Sequence, residues 1–295
     1  MTRPLLWLNG ELMDLADGRI PIEDRGYQFA DGLYEVIRFE NGRPLMLREH
    51  LERWKASAEE LLIDMPGTLD SREALVRELV DRSGFSFATV YGQLTRGVAP
   101  RNHVFPSAST PPTEIWIVKP WKPWAEELYE TGVSLFSQPD ERWTRCNIKS
   151  ISLLPNVLAK EKAKRAGGFE ALLYREDGTV TECSAANAYC VCGGVVRTHP
   201  LSNRILPGIA RMMILDVARQ IGVPVQEEAA TLDEFRAADE VFISSTTMDL
   251  MPVTQIDGQD IGTGEVGPVS QRLLAAARDR VAELTGTAEA VRDYA

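Results

Sequence analysis

The chain alternates short period-two runs with a few stretches of helical spacing. "PLLWLNGELMD" and "LYEVIRFENGRPLML" each predict a β-hairpin, with turns at Asn9-Gly10 and Asn41-Gly42. In "REHLERWKASAEELLIDMP", Leu51, Trp54, Ala58, Leu61 and Leu62 recur at helical spacing until Pro66 stops the run. A second helix is expected from about Ser71 to Arg82. "FATVYGQLTRGV" and "TEIWIVKP" then read as strands joined by a long loop.

"KPWKPWAEEL" has two prolines and two tryptophans and reads as a linker. The expected division is an N-terminal domain over 1–120, a linker over 121–126 and a C-terminal domain over 127–295. The second half opens with a strand in "GVSLFSQP". "LLPNVLAKEKAKRAGG" predicts a helix, with Pro155 in its first turn and Gly167-Gly168 ending it. "FEALLYREDGTVTECSAANAYCVCGGVVRTH" predicts three strands. "GIARMMILDVARQIG" and "VSQRLLAAARDRVAEL" predict helices, and "DEVFISSTT" a strand that ends in hydroxyls. Strands and helices do not alternate regularly, so the fold class is mixed α/β (α+β) rather than a simple doubly wound sheet.

Composition narrows the function classes. The chain is 44% hydrophobic and 25% charged, which is enough apolar content for a sizeable core. Its net charge of −11, with no basic stripe, argues against a nucleic-acid partner. Neither a secretory signal nor a membrane-spanning run is expected, and Cys146, Cys183, Cys190 and Cys192 fit no disulfide framework; a cytoplasmic setting follows. Cys190 and Cys192 lie in an alternating run, where they read as two packed thiols on one face of a strand, and no metal site is expected.

Several residues invite a chemical reading beside an ordinary one. Lys149 lies among Cys146, Ile148, Ile151, Leu153 and Leu154 in "RWTRCNIKSISLLPN". It is either a surface lysine at a strand end or an amine kept available for nucleophilic attack. Gly208 in "ILPGIAR" opens a helix whose first N–H groups suit a phosphate. The hydroxyls Ser244 to Thr247 either join that anion or cap a turn. Arg53 either reaches inward to an anion or extends to solvent. Glu182 falls inside a strand run, where a carboxylate wants a partner. Arg101 and His103, two apart in "PRNH", share a side if extended and suit a carboxylate. Tyr34 begins a strand after Gly32.

Taken together, "EDRGYQFADGLYEVIR", "EHLERWKASAEEL", "QLTRGVAPRNHVFP", "RCNIKSISLLPNVLAK", "TVTECSAANAY", "ILPGIAR" and "SSTTMDLMPV" resemble the blocks of the class IV, fold type IV, pyridoxal-phosphate aminotransferases over nearly the whole chain. Within that family "PRNHVFP" makes the chain most similar to the D-amino-acid aminotransferases. The resemblance implies a smaller N-terminal α/β domain and a larger C-terminal pseudo-barrel domain, with pyridoxal 5′-phosphate between them. It implies a cytoplasmic homodimer whose active site is shared across the interface. The expected reaction is ping-pong transfer from D-alanine and other D-amino acids to 2-oxoglutarate.

The same resemblance implies the roles. Lys149 forms the Schiff base with the cofactor and shuttles the proton. Glu182 pairs with the pyridine nitrogen. Arg53, Gly208, the backbone N–H groups of Ile209 and Ala210, Thr246 and the nearby Ser245 hold the phosphate. Leu206 packs on the ring, and Tyr34, Arg101 and His103 hold the substrate carboxylate. Two departures stand out: Ala210 replaces a frequent Thr or Ser, and Ala185 and Ala186 replace serines. They leave the reaction class alone and bear on cofactor affinity and substrate range. The alternatives to this reading are an (R)-selective amine transaminase, a branched-chain aminotransferase, an aminodeoxychorismate lyase and, last, a non-enzymatic binding protein on the same scaffold.

Overall fold

The computed structural model describes residues 2–287. Contacts divide the chain into two units. One holds the residues up to Lys122, the segment Ile148–Ser152 and the stretch from Val281 onward; the other holds Pro123–Asn147 and Leu153–Arg280.

The first unit contains β1 (Leu5–Leu8), β2 (Glu11–Asp14), α1 (Arg25–Phe29), β3 (Gly32–Glu40), β4 (Arg43–Pro44), α2 (Leu47–Glu60), α3 (Leu69–Ser83), β5 (Ala88–Thr95) and β6 (Thr113–Pro120). Its six strands form one antiparallel sheet in the order β2-β1-β6-β5-β3-β4. Both expected hairpins are present. Asn9 and Gly10, and again Asn41 and Gly42, all have positive φ, as two-residue turns matched to strand twist require. α3 starts earlier than expected, at Leu69, because Thr68 and Ser71 form a reciprocal cap. α1 went unread in the sequence. It has only five residues, and Asp24 caps it by accepting from the Gly26 amide at 2.8 Å.

α2 presents the predicted apolar stripe. Leu51, Trp54 and Ala58 enter a core with Ile37, Val90, Leu94 and Trp116. Trp54 stacks on Trp116 with ring centroids 4.7 Å apart. Trp116 in turn lies across Gly92, its partner on the neighbouring strand. A β-carbon at Gly92 would fall 2.4 Å from that ring.

The second unit contains α4 (Glu126–Thr131), β7 (Val133–Pro139), α5 (Leu154–Arg165), β8 (Glu170–Tyr174), β9 (Val180–Cys183), β10 (Asn187–Cys192), β11 (Val195–Thr198), α6 (Ile209–Gln220), β12 (Val225–Gln226), α7 (Leu232–Arg236), β13 (Glu240–Ser245), β14 (Asp249–Ile256), β15 (Gln259–Asp260) and α8 (Pro268–Thr285), whose last turn groups with the first unit. Its sheet runs β12-β11-β10-β13-β14-β7-β8-β9, with β15 on β14. β7 pairs in parallel with both β8 and β14, and α5 lies on β7 and β8 as the crossover that parallel neighbours need. Four strands, not three, fill 170–198. The run breaks at Ser184–Ala186, where the Cys183 amide turns back to the Ala186 carbonyl at 2.7 Å. β14 was unread because Pro252 argues against a strand. Pairing with β7 begins only at Val253, so the missing N–H does not interrupt that ladder. The four cysteines are free, and Cys190 and Cys192 stand two apart on β10. No helix among the described residues is long and apolar enough to cross a membrane.

Gly92→Ala is expected to destabilise the protein by roughly 1–3 kcal/mol through overpacking against a ring that cannot retreat. Urea unfolding measures it, with Ser86→Ala, at a residue outside the strands, as the control; an unchanged midpoint would refute this account of Gly92.

Candidate active site

Lys149 is in the first unit because its backbone is paired there. The Tyr34 amide donates to the Lys149 carbonyl at 2.9 Å, and the Ile151 amide donates to the Gly32 carbonyl at 3.0 Å. Leu33 and Ser150 form the antiparallel bridge between these bonds. The Lys149 amide donates to Ser57 Oγ on α2 at 3.2 Å. Lys149 is therefore fixed to β3 on one side and to α2 on the other. Its side chain is half-buried, and its Nζ lies 4.2 Å from the centroid of the Tyr34 ring. Tyr34 itself stacks on Tyr91 at 5.9 Å.

His50, Arg53 and Ser57 share one face of α2, at spacings of three and four. Glu35, next to Tyr34 on β3, meets that face. It accepts from Arg53 Nε at 3.0 Å and Nη2 at 2.7 Å, and contacts His50 Nδ1 at 2.9 Å. Glu35 is fully buried. Burial alone would raise its pKa, but the charges of Arg53 and Lys149 and the hydrogen bond from His50 hold it well below the usual carboxylate range. Burial lowers the His50 pKa, so the ring is neutral and donates Nδ1–H to Glu35. Arg53, expected to face an anion, is held side-on by Glu35, which fixes its plane. Neither Glu35 nor His50 was singled out in the sequence. The signal was available: "LYEVIRF" puts a carboxylate in the middle of a strand.

Arg101 and His103 come together on one ring, though not around Lys149. The Arg101 guanidinium lies 4.8 Å from the Phe29 centroid, and His103 meets the same ring edge-on at 5.5 Å. Both are exposed. Arg25 anchors the loop between them by donating to the Asn102 carbonyl at 2.6 Å.

The second unit holds the other candidates. Glu182 on β9 is buried and caged by donors. Arg142 Nη1 donates to Oε1, Asn187 Nδ2 to Oε2 at 2.9 Å, and the Leu206 amide to both oxygens at 3.1 and 3.2 Å. Burial raises its pKa against the opposing pull of Arg142 and the Leu206 amide. A carboxylate offers about four acceptor positions. Three donors take them up, with the single Leu206 proton shared between both oxygens, so a partner carrying a ring N–H fits by taking over half of that shared contact.

Asn187 also sets the neighbouring turn. Its Nδ2 donates to the Leu206 carbonyl at 3.1 Å. Its Oδ1 lies 2.0 Å from where a β-carbon would stand on Gly208, so any larger residue at 208 would push the Asn187 side chain off its partners. Gly208 precedes α6, whose first amides, Ile209 and Ala210, have no partner within the helix. α6 packs on β13, which ends at Ser245 just before Thr246, and Asn187 pairs with Ser244 in the sheet. Helix-start amides and strand-end hydroxyls suit a phosphate. Of the departures, Ala210 and Ala186 are buried and Ala185 is exposed, while the neighbouring Ser184 donates to Glu170 at 2.5 Å.

Comparison with known proteins gives a consistent picture. The model of the amino-transferase class IV family matches residues 32–256. A D-alanine aminotransferase of Bacillus licheniformis is 43% identical over 283 residues, covering 96% of this chain and 98% of the relative. One of Staphylococcus aureus (strain MSSA476) is 41% identical over 268 residues, covering 91% and 94%. Among solved structures, a T.th. branched-chain amino acid aminotransferase with pyridoxamine 5′-phosphate is similar at a TM-score of 0.88 and 28% identity, covering 95% and 94%.

Glu35→Gln leaves Arg53 without its buried counter-charge. It is expected to cost roughly 2–4 kcal/mol at neutral pH. Because the folded pKa of Glu35 lies below its ordinary value of 4.5, its contribution is complete above that pH. It fades as the pH falls toward the lower, folded value. Unfolding of both proteins at pH 7 and at stepwise lower pH should show the gap narrowing with acidity; a gap that widens would contradict the charge pairing.

Proposed function

The chain belongs to the class IV aminotransferase family, and from that premise we propose that it transfers the amino group of D-alanine and other D-amino acids to 2-oxoglutarate. The observation that carries the reaction is Lys149, fixed by backbone bonds to β3 and α2 with its Nζ against Tyr34. The relatives named D-alanine aminotransferases support the substrate class.

Pyridoxal 5′-phosphate, the cofactor of the family, supplies an electron sink for the charge left when a substrate α-proton departs. Lys149 Nζ would hold it covalently, and the same nitrogen would carry the proton from the substrate α-carbon to the cofactor's C4′. Glu182 would keep a proton on the ring nitrogen, accepting it where the Leu206 amide is shared between both oxygens. Arg53, the Ile209 and Ala210 amides after Gly208, Thr246 and Ser245 would hold the phosphate. Leu206, whose amide anchors Glu182, would pack on the ring. Tyr34 donates to the substrate carboxylate.

The chain acts as a cytoplasmic homodimer. Arg101 and His103, exposed on Phe29, serve the partner subunit's site. An arginine placed for a carboxylate disfavours amines that lack one, because it would be left unpaired. This favours D-amino acids over (R)-amines.

Borohydride reduction of the protein loaded with pyridoxal phosphate should fix the cofactor on Lys149, located by peptide mass mapping. A colourless protein with no adduct would end the enzyme reading. A panel of D- and L-alanine, D-glutamate, L-leucine and (R)-1-phenylethylamine with one keto acceptor tests the substrate class, and L-leucine as the preferred donor would overturn it. Arg101→Ala is expected to lower kcat/KM for D-alanine by about a hundredfold, or roughly 2.7 kcal/mol, with a much smaller loss for the amine. Equal losses would remove Arg101 from the carboxylate.

A further inference from the structure

Arg142 stands between two buried carboxylates. Its Nε and Nη2 donate side-on to Asp140, both at 2.9 Å, while only Nη1 reaches Glu182. The Asp140 side chain is 0% exposed. It also accepts from Thr181 Oγ1 at 2.8 Å, and Arg175 Nε lies 3.2 Å from its Oδ2. Thr181 immediately precedes Glu182 on β9. One guanidinium charge is thus shared by two carboxylates, and the two-bond face goes to the one outside the reaction.

We propose that Asp140 is a positioning residue that, by holding Arg142 side-on, sets how firmly Glu182 retains a proton on the cofactor's ring nitrogen. The inference rests on the family reading above. Without the Asp140 charge, Arg142 turns its full charge toward Glu182. A carboxylate neutralised in this way is a weaker base and attracts the ring proton less. Arg175 acts in the opposite sense, because it competes with Arg142 for Asp140. Removing its charge returns Asp140 to Arg142 and leaves Glu182 more basic.

The other groups facing this line do not supply a competing charge. Cys146, which Arg175 reaches, and Cys183, beside Glu182, are thiols that burial pushes up and so keeps protonated. The Tyr189 hydroxyl is likewise held protonated by burial. Asn187, the Leu206 amide and the Arg204 carbonyl are uncharged partners.

The test uses the enzyme loaded with pyridoxal phosphate. The pH midpoint of its visible band reports the proton on the Lys149 nitrogen, and a proton on the ring nitrogen repels that one. Asp140→Asn is expected to raise the midpoint by about half a unit, a threefold change in proton affinity. Arg175→Gln should lower it, and each shift should vanish in a Glu182→Gln background. A purely structural role for Asp140 predicts lower stability with no shift. Shifts of the same sign, shifts that survive in Glu182→Gln, or no shift overturn the proposal. If Asp140→Asn does not fold, Arg175→Gln and its pairing with Glu182→Gln carry the sign test. A wild-type chain that takes up no pyridoxal phosphate overturns the family reading and this inference together; uptake with unmoved midpoints overturns this inference alone.

Discussion

The bond from the Tyr34 amide to the Lys149 carbonyl is the constraint on which the rest depends. A lysine on a mobile loop has four side-chain torsions and no preferred direction, and ordering it costs entropy with every turnover. Here the backbone beneath the side chain extends β3, a nine-residue strand paired to β5 along most of its length. The sheet therefore supplies the rigidity, and the side chain has only to settle over the Tyr34 ring. The same strand places Glu35 one residue further on, so the element that fixes the amine also carries the anion that fixes Arg53. One strand thereby couples two tasks that sequence distance would keep apart.

Glu35 and Glu182 show how similar burial leads to different electrostatic outcomes. Both are buried carboxylates facing an arginine. Glu35 takes Arg53 side-on and has His50 as well, and its affinity for protons collapses. Glu182 receives one arm of an arginine whose other face belongs to Asp140, and burial prevails. The contrast lies in the charges around each: Glu35 has Arg53 side-on with Lys149 nearby, while Glu182 shares Arg142 with Asp140, whose like charge also raises its pKa. A carboxylate meant only to orient a cation gains from full pairing. One meant to hold a proton on a neighbouring ring does better with partial pairing, since a fully neutralised anion has little left to attract it.

The regular part of this architecture was legible in the sequence because local physics decides it. Asn-Gly dipeptides mark the two-residue turns, the stripe from Leu51 to Ala58 marks α2, and Pro155 marks the start of α5. Alternation identified β5 and β6, since a half-buried strand must alternate. Short elements escaped: α1 has one turn stabilised by Asp24, and β14 carries a proline where local rules argue against a strand. The return of Ile148–Ser152 to β3 was not legible either. It is a long-range pairing with no local signature, and the linker before it suggests that everything afterwards lies elsewhere. Single residues such as Lys149 and Glu182 could be flagged for their apolar or strand settings. Their supports, His50, Asp140 and Asn187, look ordinary in sequence because their role exists only through what they touch.

Fold and substrate separate cleanly in this family. A branched-chain enzyme shares the architecture at a TM-score of 0.88, while the relatives that share more of the sequence are named for D-alanine. Rigid elements hold Lys149, Glu182 and Gly208, so the chemistry proposed for them is written into strands and a helix start. Arg101 and His103 instead stand on a loop, steadied by Phe29 and by the bond from Arg25 to Asn102. A loop tolerates change of length and residue without disturbing the sheet beneath it. A change there costs the core nothing, whereas a change at Gly208 or Asn187 would disturb the Glu182 cage and the helix start together. In the function proposed here, that division between scaffold and loop is also the division between the reaction and the choice of amino donor.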